Sequence, residues 1–192
     1  WVDMNKDKLP DLLISTEWGS LVAFMNEKGK LRKKILAKEQ GWWNFMLPVD
    51  IDGDGDLDII AGNLGLNSRL KASGAFPIKM MVNDFDQNGS VEQIYTQVLD
   101  GVSIPYTLKH ELERQVPSIK KKYIRYADYA NQSLHDIFSK EVIDRSIIQE
   151  MNHLESGVLL NQGAGNFAWK PFPMDGQKSW IFAIHVLDLN ED

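Results

Sequence analysis

The chain has 192 residues, 43% of them hydrophobic, which is enough apolar content to bury a core as one domain. Its formal net charge is −6, and it has no cysteine, which excludes disulfides and thiol chemistry. No apolar run approaches the roughly 18 residues that a membrane-spanning helix needs. The densest basic run, Lys120 to Lys122, fits a solvated helix face better than a nucleic-acid site. We therefore expect neither a membrane span nor a nucleic-acid partner in this segment.

An acidic loop begins at Asp3 and recurs along the chain. Its complete copies carry oxygen-bearing side chains at loop positions 1, 3, 5 and 9, and we name them the first, second and third loop. The copies are Asp3-x-Asn5-x-Asp7-x-Leu9-x-Asp11, Asp50-x-Asp52-x-Asp54-x-Asp56-x-Asp58, Asp84-x-Asp86-x-Asn88-x-Ser90-x-Glu92 and a cut-off Asp188-x-Asn190-x-Asp192. The second loop fits the pattern best, with five Asp and two Gly residues, whereas the first has Lys6 and Lys8 and no glycine.

So many neighbouring carboxylates repel one another unless a cation neutralises them. Calcium suits the pattern because it takes about 6–8 hard oxygen ligands, including a backbone carbonyl such as the one expected at position 7. The loops contain no His or Cys, which argues against zinc and copper. We predict Ca²⁺ as the cofactor. The predicted metal residues are Asp3, Asn5, Asp7, Leu9, Asp11, Asp50, Asp52, Asp54, Asp56, Asp58, Asp84, Asp86, Asn88, Ser90 and Glu92, with the carbonyl serving at position 7.

Two other interpretations compete with this metal site. An EF-hand needs a bidentate Glu at position 12, where this chain has Ile14, Ala61 and Tyr95, and it needs flanking helices where short apolar strands are expected. An ordinary turn explains any single Asp/Asn/Gly loop without a metal, because these residues tolerate turn dihedrals. The repetition in register favours metal binding over four independent turns.

The segments between the loops have the pattern of short strands. The first unit shows strands at 12–16, 21–25 and 31–36, and a strand leading into the second loop would make four, the number in a propeller blade. After the third loop, strands are expected at 91–98 and 102–106. A later hairpin at 158–169 echoes residues 24–29. Between them the periodicity becomes helical, with Ser133 placed as an N-cap and Pro117 dividing the first helical stretch.

Residues 49–63, which contain the second loop, resemble the FG-GAP/VCBS repeat of integrin-α-type β-propellers. Residues 63–68 and 83–89, with the helical stretch, further resemble large exported VCBS-repeat proteins of Bacteroidetes-type bacteria. The resemblance implies a mainly β fold, a partial propeller of about three four-stranded blades out of seven, with calcium loops. The expected organisation is blade units at 1–47, 48–82 and 83–180, the start of the next at 181–192, and a helical insertion at 107–156 within the third unit.

This resemblance implies a calcium-binding module with a binding or scaffolding role and a protein or carbohydrate ligand. A catalytic role is not expected. The alternatives are the propeller part of an extracellular carbohydrate-active enzyme, such as a polysaccharide lyase, and a lectin-like sugar binder. Trp42 and Trp43 are the candidate ligand contacts, because neighbours in a strand point to opposite faces.

Calcium near millimolar levels outside cells favours an exported protein, although this segment shows no signal peptide. Because the chain starts and stops inside loop motifs, we expect it to be a segment of a longer protein. In isolation, the open edges of its blades would favour self-association.

Overall fold

A computed structural model describes residues 1–163 and 165–189 of the chain. The protein is mainly β, with three antiparallel sheets. The strands are β1 Leu12–Ile14, β2 Glu17–Glu27, β3 Lys30–Trp42, β4 Phe45–Val49, β5 Asp58–Gly62, β6 Ile78–Asn83, β7 Glu92–Leu99, β8 Val102–Pro105, β9 Ile147–Met151, β10 Gly157–Asn161 and β11 Phe167–Pro171. The helices are α1 Lys109–Gln115, α2 Ser118–Lys122, α3 Tyr126–Ala130, α4 Leu134–Ile137 and α5 Lys140–Asp144, and a short 3₁₀ helix spans Met174–Gln177.

The chain folds into two compact units. The first unit contains Trp1–Arg69 and the described residues from His153 onward, and the second unit contains Leu70–Asn152. Within the described part of the chain, no helix is both long enough and apolar enough to span a membrane.

The first unit contains two sheets whose inner faces pack together. One sheet has the order β1-β2-β3, and the other has the order β4-β5-β10-β11. Every residue of β5 is buried, as expected for the central strand of a packed sheet. The shared core contains Leu21, Ala23, Leu36, Ala37, Trp43, Ile59, Ala61 and Leu159. Because it draws on both sheets, it holds them as one body.

The second sheet is completed by strands far away in sequence. β10 pairs with β5, with Val158 opposite Ile60, so the chain leaves this sheet after β5 and returns to it at β10. This pairing differs from the predicted grouping, which placed the hairpin at 158–169 with the strands that follow the third loop. Repeat pattern and spacing identify a hairpin, but they do not identify the sheet edge on which it pairs.

Asn161 shows why the hairpin belongs in the second sheet. Its backbone N–H donates to Asp58 Oδ1 at 2.7 Å, and its amide donates to the Leu57 carbonyl at 3.2 Å. Asn26 makes the equivalent bonds in the first sheet, to Asp11 Oδ1 at 2.7 Å and to the Pro10 carbonyl at 3.2 Å. The sequence echo between the two hairpins therefore reflects one structural position, near the end of the strand that pairs with the strand leaving the loop, β2 in the first sheet and β10 in the second.

A buried polar network holds the two ends of the long excursion between β5 and β10. The backbone N–H of Asn63 donates to Ser156 Oγ at 2.9 Å, and its amide donates to the His153 carbonyl at 3.1 Å. Gln177 closes the network, because its Oε1 accepts from the Ser156 N–H and its Nε2 donates to the Ser156 carbonyl. Asn63, Ser156 and Gln177 are all buried. These bonds hold the chain after β5 close to the chain before β10, so the long excursion does not separate the two paired strands.

The second unit is a sheet of order β8-β7-β6-β9 with all five α-helices between β8 and β9. Within the stretch predicted as a helical insertion, 107–156, the helices lie between 109 and 144, and residues 147–151 instead form the edge strand β9, which pairs with β6. The predicted cap is also present, since Ser133 Oγ accepts from the Asp136 N–H at 3.3 Å.

The second unit has its own apolar core, formed by one sheet face and the helices. Tyr126 lies three residues from both Tyr123 and Tyr129, which are buried, but is itself 48% exposed. The core contains Met81, Phe85, Ile94, Leu112, Val116, Ile119, Tyr123, Tyr129, Leu134, Ile137, Phe138 and Ile143. Burial raises the pKa of the Tyr129 hydroxyl, which donates to the Thr107 carbonyl at 2.7 Å.

A deletion tests whether the first unit folds by itself. All six tryptophans lie in the first unit and all five tyrosines in the second, so tryptophan fluorescence reports the first unit selectively. Replacing Leu70–Asn152 by a short Gly-Ser linker should preserve a cooperative, tryptophan-reported melting transition, because the Asn63 network and the shared core remain. A broad, non-cooperative transition with solvent-exposed tryptophan emission would contradict this expectation.

Candidate metal centre

The three loops share one pattern of backbone hydrogen bonds. The position 1 carboxylate accepts from the position 6 N–H at 2.8, 2.9 and 2.9 Å in the first, second and third loop. The position 5 side chain accepts from the position 7 N–H at 2.8, 2.7 and 2.7 Å. The position 9 carboxylate accepts from the position 2 N–H at 2.9, 3.0 and 2.8 Å. The sequence repeat is therefore also a repeat of conformation.

Positions 4 and 6 adopt the left-handed backbone conformation in every loop. In the second loop these positions are Gly53 and Gly55, which adopt it at little cost. The first loop uses Lys6 at φ 60° and Lys8 at φ 68°, and the third uses Gln87 at φ 59° before its glycine. The first loop therefore adopts the same backbone conformation without glycines, but its two lysines are strained in that conformation.

The position 9 carboxylates are the buried members of each loop. Asp11, Asp58 and Glu92 are 0%, 1% and 6% exposed. Asp58 and Glu92 are the first residues of β5 and β7, so the strand positions the carboxylate and the loop folds back over it. Each loop therefore has one buried carboxylate, at position 9, and its other carboxylates are more exposed.

Two of the loops bring three carboxylates together. One oxygen each from Asp50, Asp52 and Asp58 lie within 4.8 Å of one another, and the same holds for Asp84, Asp86 and Glu92. Both clusters use loop positions 1, 3 and 9. Repulsion between three such groups is relieved by a bound cation.

The other predicted metal residues have different surroundings. The position 5 side chains of Asp7, Asp54 and Asn88 each use one oxygen to accept the position 7 N–H. At position 7, the Asp56 carboxylate pairs with Lys6 Nζ at 3.0 Å and so points to a lysine instead of joining the cluster. Leu9 and Ser90 occupy the same position, where the backbone carbonyl is the available ligand.

The first loop differs at position 3, where Asn5 replaces an Asp. Among the described residues, its acids Asp3, Asp7 and Asp11 do not form a cluster like the other two. The Asn5 amide donates to Asp7 Oδ2 at 3.0 Å. With Lys6 and Lys8 counted, this loop has a net charge of −1, against −5 in the second loop and −3 in the third, so it attracts a cation less strongly. Of the shortened fourth copy, Asn190 and Asp192 lie outside the described residues.

The donor sets of the second and third loops fit a hard divalent cation. In the third loop, Asp86 Oδ1 is buried and has no hydrogen-bond partner within the described part of the chain. A buried carboxylate oxygen without a partner is costly, and a metal ion supplies the missing interaction. All the donors are oxygens, which calcium and magnesium prefer to softer ligands.

The two candidate ligand tryptophans occupy different environments. Trp43 is 2% exposed and packs in the core of the first unit, so burial removes it as a ligand contact. Trp42 is half-buried in an aromatic cluster, with ring centroids 5.7 Å from Trp18 and 5.2 Å from Trp180. Neighbouring residues in a strand point to opposite faces, which the sequence shows, but the sequence does not show which of the two faces is buried in the core.

Two buried features of the first unit were missed in the sequence. His153 stacks on Trp43 with ring centroids 5.5 Å apart, and burial lowers the pKa of its imidazole. Trp18 adopts φ 59°, an unusual conformation for a bulky residue, in an irregular part of the β2–β3 pairing. Neither residue belongs to a motif, and the long-range contacts that define both environments have no local signal.

Residues 3–61 match the FG-GAP-like repeat family. The matched stretch begins at the first loop, contains β1 to β4 and the second loop, and ends within β5. The chain thus carries an FG-GAP-like repeat, which confirms the resemblance drawn from the second loop. No curated protein and no solved structure matches the chain significantly.

A glycine substitution tests the strain in the first loop. Lys8→Gly should raise the free energy of unfolding by about 1 kcal/mol, because glycine removes the left-handed penalty of a side chain. The check is urea denaturation followed by tryptophan fluorescence. Lys30→Gly is the matched control: Lys30 lies in β3 without a positive φ, so glycine there should lower stability. Equal losses in both variants would contradict the strain argument.

Proposed function

We propose that this protein is a calcium-binding, β-propeller-like module of an exported protein, with a binding or scaffolding role. The observation that carries the proposal is the recurrence of one carboxylate cluster, at positions 1, 3 and 9 of one loop, in two separate units. The FG-GAP-like repeat at residues 3–61 supports the propeller architecture. Calcium near millimolar concentration outside cells supports export.

Calcium is a better candidate than magnesium because of the make-up of the loops. Magnesium requires a tight octahedron and retains several waters, whereas calcium accepts more oxygens in flexible geometry, including backbone carbonyls. In the second loop Asp50, Asp52 and Asp58 would hold the ion, and in the third loop Asp84, Asp86 and Glu92. The carbonyls of Asp56 and Ser90 would add a ligand to each. The bound ion would supply charge neutralisation and loop rigidity.

The strand orders support blade-like sheets. In the second sheet the metal loop joins β4 to β5, and the later hairpin adds two strands, giving the four of a blade. The first sheet has three strands, and an isolated bridge between Val2 and Asp11 lies where the first strand of a four-stranded blade would pair. We interpret these two sheets as neighbouring blades of a larger propeller.

A binding role is supported by an open cleft in the second unit. The cleft has a volume of about 820 Å³. Its wall includes the aromatic rings of Tyr95 and Tyr106, the cationic side chain of Arg114 and the acidic side chain of Glu111. Asn88 and Ser90 of the third loop also line it, so an ion bound there would rigidify one wall of the cleft. Pockets with a few convergent polar groups beside aromatic rings are typical of ligand sites.

Calcium removal tests the proposal. Chelation should lower the melting temperature, because an ion that binds the folded state at 100 times its Kd stabilises it by about 2.7 kcal/mol. Tryptophan fluorescence follows the first unit, and tyrosine absorbance follows the second. Asp52→Asn should reduce the calcium-dependent shift in the tryptophan signal, and Asp86→Asn should reduce it in the tyrosine signal.

Two acidic residues outside the loops provide matched controls. Asp175→Asn in the first unit and Asp100→Asn in the second should leave the calcium-dependent shifts unchanged. Unchanged melting of the unmodified protein on chelation would overturn the proposal. The same conclusion would follow if the loop variants responded to calcium as the control variants do.

A further inference from the structure

Lys34 of β3 is a charged side chain on the inward face of its sheet. It lies opposite Ala23, which is fully buried, and its own side chain is half-buried, whereas Lys33 and Ile35 on either side are exposed. Strand alternation places Lys34 on the same face as the buried Leu36. A lysine at such a position is unusual, because it directs its ammonium group towards the space between two sheets.

The ammonium group of Lys34 contacts an aromatic ring. Its Nζ lies 5.8 Å from the centroid of the Phe167 ring, a cation–π contact. Among the described residues, no acidic side chain lies within ion-pair distance of it. A cation partly removed from water without a counter-charge is less stable than a paired one, so an anion bound beside Lys34 would be stabilising.

Lys34 faces a cavity of about 430 Å³ within the first unit. The apolar part of the wall includes Met25, Leu36 and Phe167. The polar part includes Lys6 and Asp56, which pair with each other at 3.0 Å. The volume lies within the range of roughly 300–1,000 Å³ that small-molecule sites occupy in proteins.

The charges around the cavity leave one net positive charge. The Lys6–Asp56 pair is neutral as a unit, so the charge of Lys34 is the uncompensated one. Asn161, also in the wall, is already engaged, because its backbone N–H and its amide donate to Asp58 and Leu57. The cavity therefore combines one available cation with a wall that is apolar on one side and polar on the other.

We propose that this cavity binds a small organic anion, a carboxylate with an apolar body. Its carboxylate would accept a charge-assisted hydrogen bond from Lys34 Nζ, and its apolar body would cover Met25, Leu36 and Phe167. The carboxylates of the two metal clusters do not line this site, but Asn5, Lys6 and Asp56 of the first and second loops do. Calcium is therefore kept saturating when the site is tested.

Benzoate is the probe for this site, and benzyl alcohol is its uncharged counterpart of similar size. With calcium held constant in excess, binding is measured by calorimetry and by the tryptophan-reported melting temperature. Benzoate should bind and raise the melting temperature, whereas benzyl alcohol should bind about tenfold or more weakly, since a charge-assisted bond is lost. Equal binding of the two probes would overturn the proposal.

Lys34→Met and Lys34→Gln test the residue itself, and Lys33→Met is the matched control on the opposite face of the same strand. Benzoate affinity should fall about tenfold or more in both Lys34 variants and remain unchanged in Lys33→Met. Lys34→Gln serves as the readout if Lys34→Met does not fold. If the unmodified protein does not respond to benzoate and Lys34→Met simply melts at a higher temperature, Lys34 is a structural residue and the proposal is wrong. Loss of calcium binding with benzoate binding intact would contradict only the proposed function.

Discussion

The buried carboxylate at position 9 is the constraint on which the metal loops depend. It lies at the first residue of a strand or directly before it, and it accepts the backbone N–H of loop position 2 in all three loops. In the first unit it also accepts a second N–H, from Asn26 to Asp11 and from Asn161 to Asp58. One carboxylate therefore ties together the loop, the outgoing strand and the strand that pairs with it, β2 in the first sheet and β10 in the second. A carboxylate with both oxygens so engaged is held in place before any ion arrives, which lowers the cost of ordering the site.

The same bond explains how the second sheet accommodates a long excursion. Between β5 and β10 the chain forms a whole second unit with its own core, yet the hairpin returns to Asp58 as the shorter hairpin of the first sheet returns to Asp11. The Asn63, Ser156 and Gln177 network holds the ends of the excursion with buried hydrogen bonds. Such a network contributes to stability only when all its members are satisfied, so it also specifies one pairing of the strands.

Local chemistry made much of this predictable from the sequence. The loops follow from Asp and Asn at fixed spacings, the Ser133 cap from its place before an apolar helical period, and the likeness of the two hairpins from their shared Asn and Gly. The partner of β10 was not predictable, because a hairpin pattern does not specify which edge it joins. Strand β9 was not predicted, because it directly follows a stretch with helical periodicity. The burial of Trp43 depends on contacts with His153 and Trp169, which are distant in sequence. The orphaned Asp86 oxygen and the inward Lys34 likewise depend on tertiary packing.

The most direct test of the account is a crystal structure grown with calcium, with anomalous scattering used to locate the ions. Anomalous peaks are expected among Asp50, Asp52 and Asp58 and among Asp84, Asp86 and Glu92, each with about 6–8 oxygen ligands at roughly 2.3–2.6 Å. The carbonyls of Asp56 and Ser90 should be among those ligands. No anomalous peak at either cluster, with the carboxylates instead paired to lysines or water at saturating calcium, would contradict the account.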